Sequence, residues 1–187
     1  MTRLLTILVA IILPTMILSP NAQAQTVSKN IKTKKAAIYK NKALGWKFAI
    51  PASWEEVEVD KKNNQILVLQ KDKKKNLFKA SLHPTPKADD NTIKNYIGFL
   101  KRNIEANVNQ IDLTTTFKDG EKTVEGKKFQ YLDYVVTDGQ GQVVGLYNSY
   151  YRLVDGKIFE VTINSEDKKI QNEIVAAWTK SVKSMKK

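Results

Sequence analysis

The chain has 187 residues, 31 lysines and arginines against 19 acids, a net charge of +12, one histidine and no cysteine. Without cysteine there is no disulfide framework, no thiolate metal site and no lipid attachment through a cysteine, so hydrophobic burial must hold the fold together. Lysine dominates the basic side chains, and lysine is a hydrated point charge where arginine is a planar fork. The excess therefore points to loose attraction toward anionic surfaces more than to a shaped anion pocket, with plain solubility charge as the alternative.

Residues 1–24 read as a secretory leader. Arg3 supplies a positive start, Leu4 to Leu18 is an apolar run without charge, and Ala22-Gln23-Ala24 gives the small-x-small pattern that a signal peptidase reads. Cleavage is expected before Gln25. A membrane-spanning helix needs about 20 apolar residues, and this run is shorter and interrupted by Pro14. The chain is thus expected to be exported, to the periplasm or the medium, and to keep no stable membrane anchor. Residues 25–36, with Lys29, Lys32, Lys34 and Lys35, read as a flexible basic arm. Residues 37–187 suit a single domain.

Strands open that domain. Ala37 to Tyr39 is short. Trp46 to Ile50 places Trp46, Phe48 and Ile50 on one face before Pro51 ends it. Val57 to Val59 reads as extended. Ile66 to Leu69 is apolar on both faces, the pattern of a central strand. A lysine-rich turn, Lys71 to Asn76, leads to a strand over Leu77 to His83. The spacing of Ile93, Tyr96, Ile97, Leu100, Ile104 and Val108 predicts an amphipathic helix near 92–108, capped by Asp89, Asp90 or Asn91. Ile111 to Phe117 is the next strand, with a tight turn expected at Asp119-Gly120. Glu121 to Val124, Phe129 to Thr137, Val143 to Val154 and Ile158 to Ile163 follow. In the long strand, Val143, Tyr147, Tyr151 and Leu153 fall on one face and Tyr150 on the other. A second helix is expected over 166–184, capped by Ser165, with Ile174 and Trp178 inward. Hairpin-linked strands and two amphipathic helices predict an α+β fold, a mainly antiparallel sheet with helices packed on it.

The stretch Leu44-Gly45-Trp46-Lys47-Phe48-Ala49-Ile50-Pro51-Ala52-Ser53-Trp54, together with Ile158 to Ile163 and Trp178 before Ser181-Val182, resembles the PsbP-like and DcrB-like domains. The resemblance spans nearly everything from Ala37 onward. It implies an antiparallel sheet sandwiched between helices and an accessory or binding role in an envelope or lumenal compartment, without enzymatic activity.

Catalytic signals are weak. His83 stands alone, so zinc would need several carboxylates. No Gly-x-Ser-x-Gly elbow accompanies it. Glu55-Glu56 and Asp89-Asp90 are paired acids of the kind found in turns and helix caps. Gly139-Gln140-Gly141 lacks the lysine and helix of a phosphate loop. No cofactor or metal is expected, and nucleic acid is an unexpected partner outside the cytoplasm. The expected function is a non-catalytic exported accessory protein contacting an envelope protein or an anionic surface. The candidate contacts are Lys71, Lys73, Lys74 and Lys75, with Trp54 and Tyr150 as possible ligand-site aromatics. The alternative is a small-ligand carrier with a pocket between sheet and helix.

Overall fold

The structure, a computed structural model, describes residues 37–72, 75–85 and 88–186. The leader with Ala22 and Ala24, the basic arm, and Lys73 and Lys74 lie outside the described residues. The expected α+β class holds. A two-stranded hairpin, β1 (Ile38–Asn41) and β2 (Trp46–Ala49), stands apart from a seven-stranded antiparallel sheet. That sheet runs in the order β3 (Glu55–Glu56), β4 (Gln65–Lys71), β5 (Asn76–Pro84), β9 (Lys157–Ser165), β8 (Val143–Val154), β7 (Lys127–Thr137) and β6 (Thr114–Val124). Helix α1 (Asp90–Asn109) packs on β6, β7 and β8. Helix α2 (Lys168–Val182) packs on β2, β9 and β5.

Each helix has its own core. Beneath α2 and the hairpin, Trp46 meets Phe48 and Phe159 edge-on at 5.6 and 5.4 Å, and Trp178 meets Phe129 at 5.3 Å. The alternation of Trp46, Phe48 and Ile50 sends all three inward while Lys47 and Ala49 stay exposed. Beneath α1, Ile93, Ile97, Ile104 and Val108 close on Leu132, Tyr134, Tyr147 and Tyr151. The α1 N-terminus is held by reciprocal bonds: the Asp89 carboxylate accepts from the Thr92 N–H at 2.7 Å, and the Asp89 N–H donates to Thr92 Oγ1 at 3.2 Å. The Thr92 hydroxyl and N–H hold the Asp89 carboxyl below its usual value.

The hairpin is stitched to the end of α2. Trp46 Nε1 donates to Ser181 Oγ at 2.8 Å, the Lys47 N–H to Ser184 Oγ at 2.8 Å, and the Lys186 N–H to the Leu44 carbonyl at 2.9 Å. Gly45 permits this approach. Its φ is +63°, and a Cβ there would sit 2.8 Å from Lys186 Cγ.

Several expectations need correction. Asp119-Gly120 is not a turn but lies inside β6, opposite Leu132 and Tyr131. The hairpin closes instead at Glu125-Gly126, where φ values of 47° and 74° suit a two-residue turn. This choice buries Val124 and sets Phe117 beside Tyr134. The Tyr131 ring covers the bare backbone of Gly120. The strand after Trp54 is Glu55–Glu56; Val57 to Val59 is not one. β4 is not central, being flanked outside only by the two-residue β3. Helix α2 is capped by Asp167, whose carboxylate accepts from the Lys169 and Ile170 N–H groups. Ser165 belongs to β9 and bonds Asn76. A register shift opposite Val136 and Thr137 takes Val143 out of line with Tyr147, leaving it half exposed.

Candidate functional site

The two helices lie on opposite faces of the sheet. Trp178 lets α2 reach from β5 and β9 across to Phe129 of β7 and Tyr150 of β8, whereas α1 covers only β6 to β8. On the α1 face the open half is built by β5 and β9. Their registered pairs there are Leu77 with Asn164, Lys79 with Thr162, and Ser81 with Glu160, while His83 faces Ile158. The same rows continue into β8 through Tyr147, Ser149 and Tyr151. The centre of the sheet thus carries a polar floor on this face and an apolar one, Phe78, Ala80, Phe159, Val161 and Ile163, on the other.

A groove of about 230 Å³ runs between this floor and the side of α1. Tyr96, Leu100 and Ile104 of α1 form one wall, and Tyr134, Tyr147 and Tyr151 line it from the sheet. Tyr134 and Tyr147 stack with centroids 4.4 Å apart, and Tyr96 meets Tyr151 edge-on at 5.9 Å. His83 Nε2 lies 2.9 Å from Glu160 Oε2, and the Thr162 hydroxyl donates to the other carboxylate oxygen at 3.3 Å. Burial, and secondarily the charge of Glu160, push the Tyr96 hydroxyl up to about 12. Lys79 makes no ion pair among the described residues. Asn164 Oδ1 is buried with no hydrogen-bond partner there.

The arrangement can hold a small molecule by hydrogen bonds and one positive charge. Among the described residues no hydrogen bond joins His83 to a serine hydroxyl; its partner is Glu160. Among the described residues there is no group of three or more side chains placed to hold a metal ion.

The residues singled out by sequence fall elsewhere. Tyr150 is 3 % exposed and stacks on Trp178 at 4.2 Å, inside the α2 core. Lys122 lies over its ring at 4.3 Å and over Tyr131 at 4.7 Å, and donates to the Tyr150 hydroxyl at 3.2 Å. Burial lowers the Lys122 ammonium. Trp54 is 2 % exposed in the same core. Neither aromatic lines the groove. Lys71, its side chain 17 % exposed, pairs with Glu173 of α2 at 3.0 Å, and Lys75 with Glu166 at 3.6 Å. Lys71 thus ties α2 to the sheet end, and Lys75 ties the β9–α2 connection to it. Among the groove residues, Lys79, Glu160 and Asn164 belong to no motif in the sequence, and His83 has no second histidine beside it. Their one signal is polar alternation, Lys79-Ser81-His83 and Glu160-Thr162-Asn164, in strands whose other face is apolar.

No family model matches the chain, and no curated protein does. Among solved structures, the fold matches that of cyanobacterial PsbP (CyanoP) from Synechocystis, with a TM-score of 0.60 and 12% identity over 86% of this chain and 97% of that one. A Pseudomonas aeruginosa protein of unknown function gives a TM-score of 0.43 at 11% identity, covering 82% of this chain and 98% of that one. A mutant of Mog1 gives 0.41 at 15% identity, covering 81% and 87%. The fold is PsbP-like. Nothing in these comparisons supports the DcrB-like part of the resemblance.

Proposed function

We propose that the chain is a non-catalytic accessory protein of the cell envelope that contacts an anionic surface or a protein partner through a basic pole. The supporting observation is where the unpaired lysines gather. Lys40 lies directly opposite Lys47 on the hairpin, an arrangement of like charges that costs stability. Lys42 sits in the hairpin turn, and Lys183 and Lys186 end the helix stitched to that hairpin. All five are exposed, and no acid occurs between Ala37 and Trp54. Both ends of the domain thus contribute positive charge to one place, whereas Lys71 and Lys75 are already paired. Export is read from the leader. Mass spectrometry of the mature protein is expected to find Gln25 at the N-terminus, and an intact Met1 on exported material would refute it.

An exposed lysine near an acidic membrane contributes about 1 kcal/mol, within a Debye length of roughly 8 Å. Binding to anionic vesicles should fall steeply with salt and be lost in the triple variant Lys40→Gln, Lys47→Gln, Lys186→Gln. Lys71→Gln and Lys75→Gln should leave it nearly unchanged. Salt-independent binding, or none with anionic vesicles or envelope extract, returns these lysines to solubility charge. A second reading, a small-ligand carrier, is favoured by the groove between α1 and the sheet. Native mass spectrometry of protein purified from its own cells tests it, by the presence or absence of a co-bound small molecule.

A further inference from the structure

We propose that the groove beside α1 takes a small amphipathic carboxylate that also bears a hydrogen-bond donor, with its charge at Lys79 and its apolar body against Tyr96, Leu100 and Ile104. This rests on the carrier reading and adds the ligand class. At about 230 Å³ the groove is smaller than the sites that enclose drug-sized molecules. Its two sides differ in kind. The α1 wall is aromatic and aliphatic, and the floor is hydroxyls and charge.

The sign of the ligand follows from what is already paired. The Glu160 carboxylate is taken up by His83 and Thr162. Lys79 is half-buried on the floor and makes no ion pair among the described residues, so it is the cation there that a ligand can answer. A carboxylate supplies that answer through a charge-assisted hydrogen bond. The second polar requirement is Asn164 Oδ1, a buried acceptor without a donor. Asn164 pairs with Leu77, two residues along β5 from Lys79, so the two positions are diagonal neighbours about 7–8 Å apart. A hydroxyl or amine one or two atoms from the carboxylate spans that interval, as in a hydroxy acid with a ring or short chain.

The test titrates the full mature protein, followed by amide NMR, with three probes of matched body: phenyllactate, 3-phenylpropionate and 3-phenyl-1-propanol. Shifts are expected on β5, β9 and α1, with phenyllactate tightest and the propionate bound roughly tenfold more tightly than the alcohol. Lys79→Gln should abolish the preference for the acids while leaving alcohol binding in place. Leu100→Trp, which fills the groove, should abolish binding of all three. Equal binding of acid and alcohol, or an undiminished preference in Lys79→Gln, overturns the proposal. So does the absence of groove shifts with every probe at millimolar concentration. If that absence coincides with a co-bound molecule in native mass spectrometry, the ligand class fails and the carrier reading survives; without one, both fail.

Discussion

The two faces of the sheet are built from the same strands, yet they are packed to different ends. On the α2 face, aromatic side chains from β2, β5, β7, β8, β9 and α2 interlock, and the hairpin closes over them. On the α1 face the helix covers only β6 to β8, and the central strands present Lys79, Ser81, His83, Glu160, Thr162 and Asn164. A polar floor in mid-sheet forgoes hydrophobic stabilisation of about 25 cal/mol for each Å² left unburied. If the groove binds a ligand as proposed, that loss is the cost of the site, and the opposite face supplies the stability.

That division can be broken by experiment. The largest effect should come from Trp178→Ala, which empties a fully buried site and is expected to cost about 3–5 kcal/mol in denaturant unfolding. A cost near zero would dissolve the distinction between the faces. Next, Ser181→Ala removes the acceptor of the buried Trp46 N–H and should cost about 1–3 kcal/mol. On the other face, Thr162→Val replaces a floor hydroxyl by a methyl of similar shape. Its 3.3 Å bond to Glu160 is long, so unfolding free energy should change by less than about 1 kcal/mol. A loss equal to that of Ser181→Ala would make the floor a structural element.

The smallest effect is a titration. The Asp89 carboxyl sits below its unfolded value because Thr92 bonds its charged form. Its contribution to α1 is therefore present above the unfolded pKa and lost as pH falls through the folded one. Carboxyl NMR should place the native midpoint below the ordinary aspartate value of 3.8. Thr92→Val should move it upward, and no movement would remove Thr92 as the cause.

Local pattern carried much of the fold. Alternation at Trp46, Phe48 and Ile50 and the helical stripe from Ile93 to Val108 locate a strand and a helix within a residue or two. Where two local signals competed, as at Asp119-Gly120 and Glu125-Gly126, the choice fell to an eleven-residue register with β7 that no single turn reveals. The groove was the least legible part. His83 and Glu160 are 77 residues apart, and β5 and β9 become neighbours only through the sheet order. A lone histidine in the sequence therefore gave no hint of its carboxylate. Strand alternation separates Tyr150 from Tyr147 and Tyr151, but what covers its face, Trp178, comes from a distant helix.

The stitch between the hairpin and α2 bears on when the molecule can finish folding. Trp46 and Ser181 are 135 residues apart, and Lys47 and Ser184 are 137. The first strands made are completed by the last helix made, and contacts of such long range form slowly because a large loop must close first. Until Ser181 is in place Trp46 has no acceptor, and until Ser184 and Lys186 are in place the hairpin has no seat. Until that helix is in place the hairpin is unsupported, and were the chain exported as proposed, an unseated hairpin is the form that could pass a narrow channel.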